Sequence, residues 1–64
     1  MKMQLDRKKI DICLARKKMS VTDFAKVYGV SRARMNVILN QRDVTPITAG
    51  RIAKVLGVDV TQLI

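Results

Sequence analysis

The 64-residue sequence has no histidine, no glutamate and no tryptophan, and its five acidic residues are all aspartates (Asp6, Asp11, Asp23, Asp43, Asp59). The commonest general base and the usual nitrogen ligand for metals are therefore missing. One cysteine, Cys13, cannot close an intrachain disulfide or pair with a second thiol at a zinc site. Gly29, Gly50 and Gly57 form no phosphate-cradling loop, and no base accompanies Ser20, Ser31 or Cys13. Phe24 and Tyr28 are the only aromatics, too few for the stacking platforms that read single-stranded RNA. The first nineteen residues are broken by Lys2, Arg7, Lys8, Lys9, Arg16, Lys17 and Lys18, which excludes a signal-peptide apolar region or a membrane span there. A chain of this length buries only about 60% of its unfolded surface. One thin core is expected, with a single domain over residues 1–64, no deep active site, no cofactor and no metal. The cytosol is the expected compartment.

What is present is positive charge. Thirteen Lys and Arg face five Asp, a formal net charge of +8, and 48% of the residues are apolar, enough to fold. The charge is uneven: residues 1–42 hold eleven of the basic residues and three of the acids, whereas residues 43–64 are neutral overall. A basic stripe of this kind is an electrostatic footprint for a polyanion, the alternative being solubility alone.

The hydrophobic period is helical throughout, and the expected class is all-α, four helices plus a short fifth. In the first segment, Leu5 to Lys18, Ile10, Cys13, Leu14 and Lys17 share the i, i+3, i+4, i+7 face. Met1 to Gln4 lack a cap and are expected to fray, a basic arm along a DNA groove being the alternative. Ser20 is a good cap for a second helix, Val21 to Tyr28, with Asp23 in its first turn; Gly29 ends it and Val30 packs back. Ser31 caps a third helix from Arg32 to Asn40, with Met35, Ile38 and Leu39 on its apolar face.

Gln41 to Val44 reads as a polar loop, and Thr45 and Pro46 form a cap and first position for a fourth helix ending near Leu56. Its expected buried residues are Ile47, Ala49, Ile52, Ala53, Val55 and Leu56, and Gly50 is expected to permit close helix packing. Gly57 stops this helix, and Val58 to Ile64 leaves room for one last short helix.

Residues 21–40 read VTDFAKVYGVSRARMNVILN, with Ala25 and Gly29 at the fifth and ninth places and Phe24, Tyr28, Val30, Met35 and Ile38 at the apolar places. This unit resembles the helix-turn-helix of the lambda-repressor-like, Cro/XRE-type family of DNA-binding domains. RIAKVLGVDVTQLI, residues 51–64, is similar to that family's last two helices. Small Ala25 lets two helices cross closely, Gly29 permits a left-handed turn, and the apolar residues fill the angle between the helices. The chain departs from the family pattern at Val21, where many members have glutamine, at Gln41, where many have glycine, and at Val44, where many have proline.

The resemblance implies a sequence-specific, double-stranded DNA-binding transcriptional regulator, expected to be a repressor, that inserts its third helix into the major groove. It implies base contacts from Arg32, Ala33, Asn36 and Val37, with Arg32 able to pair guanine O6 and N7 and Ala33 and Val37 able to touch a thymine methyl. For Arg32 the alternative is a phosphate contact. Ser31, Arg34, Asn40 and Arg42 are implied phosphate contacts; capping is the alternative for Ser31 and Asn40, and simple solvation for the two arginines. Lys17 and Lys18 are weaker candidates. A homodimer is expected at least on DNA, with Val60, Leu63 and Ile64 either at its interface or covering the core. No membrane and no small-molecule ligand are implied. Two rival readings use the same fold: a protein-interaction module, such as an antitoxin or phage-regulator component, and an RNA-binding or co-activator role.

Overall fold

The structure is a computed structural model that describes residues 2–41 and 43–64. Among these residues four α-helices follow one another, α1 (Arg7–Arg16), α2 (Val21–Tyr28), α3 (Arg32–Asn40) and α4 (Pro46–Leu56), and one 3-10 turn, Val60–Gln62, follows them. There is no named strand among the described residues. The expected all-α architecture is the one observed.

Each helix starts on a side-chain cap that satisfies an otherwise unpaired amide. Asp6, Ser20, Ser31 and Thr45 accept from the amides of Lys9, Asp23, Arg34 and Thr48 respectively. At α2 the bond is reciprocal, because the Asp23 carboxylate accepts from the Ser20 amide at 3.2 Å, closing a capping box. Pro46 occupies the first turn of α4, where its missing N–H costs nothing.

Three helices end with the same closure, in which an amide returns to the carbonyl five residues earlier: Met19 to Leu14, Val30 to Ala25 and Val58 to Ala53, at 3.0 to 3.1 Å. Gly29 (φ 94°) and Gly57 (φ 68°) supply the left-handed residue at two of them. At the end of α1 that residue is Lys18, with φ 54°. The helix expected over residues 5–18 is therefore shorter at both ends: Asp6 caps its start, and the left-handed turn at Lys18 ends it. Lys17, expected on the apolar face, is exposed, and its side chain reaches along the surface to Gly57 at the end of α4.

The core is built from Ile10, Cys13 and Leu14 of α1, Phe24, Ala25 and Tyr28 of α2, Met35, Ile38 and Leu39 of α3, and Ile52, Ala53 and Leu56 of α4. Leu63 completes it with no exposed surface, so of the two readings for Leu63 the core reading holds. Fully burying such a leucine contributes about 1.5–3 kcal/mol. Ile64 is 43% exposed and Val60 half-buried.

Two expectations for α4 are corrected. Ile47 is 78% exposed. Its i+3, i+4 and i+7 companions are Gly50, Arg51 and Lys54, all on the outer face, whereas Ala49, Ile52, Ala53 and Leu56 form the inner one. Gly50 lies on that outer face, and a Cβ built there meets nothing within 4 Å, so no close packing depends on it.

The expected fraying of the N-terminal segment is also corrected for Met3, while Met1 lies outside the described residues. Met3 and Val44 exchange two antiparallel backbone hydrogen bonds at 2.7 and 2.8 Å, and the Asp6 amide donates to the Leu63 carbonyl at 2.6 Å. Val44, assigned to a polar loop, is buried as a result. The N-terminal segment thus braces the connection between α3 and α4.

Candidate nucleic-acid interface

The turn from α2 to α3 is three residues, Gly29, Val30 and Ser31. Gly29 turns the backbone left-handed, Val30 packs half-buried against the core, and Ser31 opens α3 by accepting from the Arg34 amide at 3.1 Å. Behind this turn the Phe24 and Tyr28 rings meet edge to face, with centroids 6.1 Å apart. The Arg51 guanidinium of α4 lies 4.5 Å over the Tyr28 ring, a cation–π contact that ties α2 to α4. The helix pair is thereby fixed from below by aromatic and aliphatic packing.

Burying Met35, Ile38 and Leu39 turns the opposite side of α3 outward. At about 100° per residue, Ala33, Asn36, Val37 and Asn40 share that outer side, while Arg32 has nearly the angular phase of Leu39 and is exposed because it stands at the first position of the helix. Arg32, Ala33, Val37 and Asn40 are exposed and Asn36 is half-buried. Ser31 sits at the N-cap and Arg34 on the flank, both exposed. Arg42 lies outside the described residues. With Ser31 occupying the Arg34 amide, the Arg32 and Ala33 amides have no acceptor among the described residues. Together with the helix dipole they make the start of α3 favourable for an anion.

Asn40 is held from a distance. Arg7 of α1 donates from Nη1 to Asn40 Oδ1 at 3.2 Å and from Nε to Asp11 Oδ1 at 3.0 Å. Asp11 thus orients Arg7, and Arg7 braces the last residue of α3. The Arg7–Asp11 pair is visible in the sequence as an i, i+4 spacing, but its third member is 33 residues from Arg7 and is brought near only by the fold.

Two of the aspartates, Asp23 and Asp59, have carboxyls lowered by hydrogen bonds at helix or turn starts. Hydrogen bonds from the Ser20 backbone, then from its side chain, hold the Asp23 carboxyl below the usual aspartate range. Asp59, at the far C-terminal turn, is lowered similarly by the Thr61 hydroxyl and then the Thr61 amide.

Two helices joined by a left-handed glycine turn, the second presenting an exposed side of mixed basic, polar and small apolar residues, define a helix-turn-helix protein. The sequence model of the Cro/C1-type HTH DNA-binding domain matches residues 9–64. The chain belongs to this Cro/C1-type helix-turn-helix family. No curated protein matches it. Among solved structures, a point variant of a hydroxyethylphosphonate dioxygenase superposes with a TM-score of 0.75 at 22% identity, covering 97% of this chain. The chain spans 14% of that enzyme's length, and the likeness concerns the fold alone. Among the described residues no helix is long and apolar enough to cross a membrane.

Proposed function

We propose that this domain is a sequence-specific double-stranded DNA-binding regulator, acting as a repressor, that lays α3 in the major groove and binds without catalysing a reaction. The observation that carries the reading is the exposed side of α3, where Ala33 and Val37 stand opposite the buried Met35, Ile38 and Leu39 and Arg32 is exposed at the start of the helix, in a family of DNA-binding domains. In this reading Arg32 forks onto guanine O6 and N7, Ala33 and Val37 touch thymine methyls, and Asn36 supports them from its half-buried position. Ser31, Arg34, Asn40 and Arg42 hold phosphates on either side. Residues 1–64 act as one domain in the cytoplasm. One such module covers only about 600–1,000 Å² of protein surface on a duplex. Two copies on two half-sites, about one helical turn apart, therefore supply the length of readout.

The test begins with selection of a preferred site from random duplexes, followed by anisotropy titrations of wild type and Arg32→Ala at several salt concentrations. Binding weakens with salt, log affinity falling by about 0.9 per phosphate contact for each unit of log salt. Arg32→Ala costs about 1–3 kcal/mol on the preferred site, with little change on unrelated DNA. Equal loss on every sequence makes Arg32 a phosphate contact, and a flat salt dependence removes the DNA reading. Light scattering at saturation reads the stoichiometry, and one protein per two-half-site duplex refutes the dimer.

A further inference from the structure

A concavity of about 290 Å³ lies on the outer side of α1, lined by Lys9, Ile12, Cys13, Arg16 and Gln62. The four α1 residues follow the i, i+3, i+4, i+7 spacing and form one stripe. Ile12 is 54% exposed, an unusual fraction for an isoleucine in a helix centre, and Cys13 forms the floor. The Lys9 ammonium donates to the Ile64 main-chain oxygen at 2.9 Å, which brings that 43% exposed isoleucine close to the same stripe. Around the α1 axis, Ile12 and Arg16 are turned about 140° and 180° from Arg7. Arg7 is the residue that reaches α3, so this groove and the outer side of α3 lie on different sides of α1.

We propose that this groove docks a short acidic amphipathic segment of another protein, its apolar side chains on Ile12 and Cys13 and its carboxylates on Lys9 and Arg16. The chemistry of the lining points to that occupant: an apolar floor, two cations separated by two turns of helix, and no acid. A second copy of this chain fits less well, because each carries a formal charge of +8 and joining two such grooves sets Lys9 and Arg16 against their own kind. Amphipathic helices bind grooves through anchors at this same helical spacing. The volume is at the low end of the range for binding clefts and takes only a few side chains. Binding on the order of tens of micromolar is therefore expected. The proposal concerns residues outside the proposed DNA surface and stands independently of it.

The test uses the full chain labelled with nitrogen-15, titrated with a synthetic amphipathic peptide of leucine, alanine and glutamate, and with the same peptide carrying lysine in place of glutamate. The glutamate peptide is expected to shift the amides of residues 9–16 and Gln62 and to leave those of α3 in place. Arg16→Glu and Ile12→Gln are each expected to weaken it about tenfold, with thermal unfolding unchanged. Shifts confined to α3, equal binding of the lysine peptide, or Arg16→Glu binding as tightly as wild type would overturn the proposal. So would groove shifts that depend on protein concentration without peptide, which indicate a second copy, or groove shifts produced by duplex DNA alone.

Discussion

Lys18 is the residue at which the backbone and the side chain disagree most. It closes α1 with φ 54°, the amides of Lys18 and Met19 returning to Ala15 and Leu14 at 3.1 and 3.0 Å. The two equivalent turns in the chain carry glycine. An L-residue held in the left-handed region costs about 1–2 kcal/mol, and glycine at the same place costs about 0.5–1 kcal/mol in extra unfolded-chain entropy. Lys18→Gly is therefore expected to stabilise the domain by about 0.5–1 kcal/mol. For a domain of this size that raises Tm by about 3–6 °C. Removing a positive charge from a chain of +8 also changes stability. Lys18→Ala is the control, because it removes the same charge and keeps the backbone strain. Thermal melts followed by circular dichroism compare the three proteins, and the difference between the glycine and alanine variants isolates the backbone. If Lys18→Ala gains as much as Lys18→Gly, charge is the cause. If Lys18→Gly lowers Tm, the left-handed turn at this position is wrong.

Gly50→Ala should raise stability by about 1 kcal/mol, because the added methyl meets open space on the outer face of α4; a loss of stability in denaturant titration would mean that this face is covered. Leu63→Asp should abolish cooperative folding, since a buried charge costs several kcal/mol against a total stability of only about 3–10 kcal/mol for a domain this small; a folded variant that merely fails to assemble would return Leu63 to an interface. Asp23 has a depressed carboxyl in the folded state, so its capping contribution is present above about pH 4 and is lost as pH falls through the folded value. The Tm difference between wild type and Asp23→Ala should shrink over that acid range, and a difference that stays constant down to full protonation would show that the Asp23 half of the capping box contributes nothing.

The starts of α2, α3 and α4 and the α2–α3 turn were determined by sequence alone, because their causes are local. Ser20, Ser31 and Thr45 each reach an amide three residues ahead, and Gly29 and Gly57 sit where a left-handed residue is needed. The family pattern over residues 21–40 rests on the same short-range geometry, which is why α3 and its outward side were legible before any coordinates. Where local signals conflict, packing decided. Ile47 is apolar but shares its helical phase with Arg51 and Lys54, and burial followed phase rather than hydrophobicity. Lys18 has no turn-forming side chain, yet Met19 folds back onto the core with its amide on the Leu14 carbonyl, and that closure holds Lys18 in the left-handed conformation. The pairing of Met3 with Val44, the insertion of Leu63 into the core and the reach of Arg7 to Asn40 join residues far apart in the chain. No spacing rule connects such pairs; they meet only because one small core can be closed by bringing the two ends of the chain against α1 and the loop after α3.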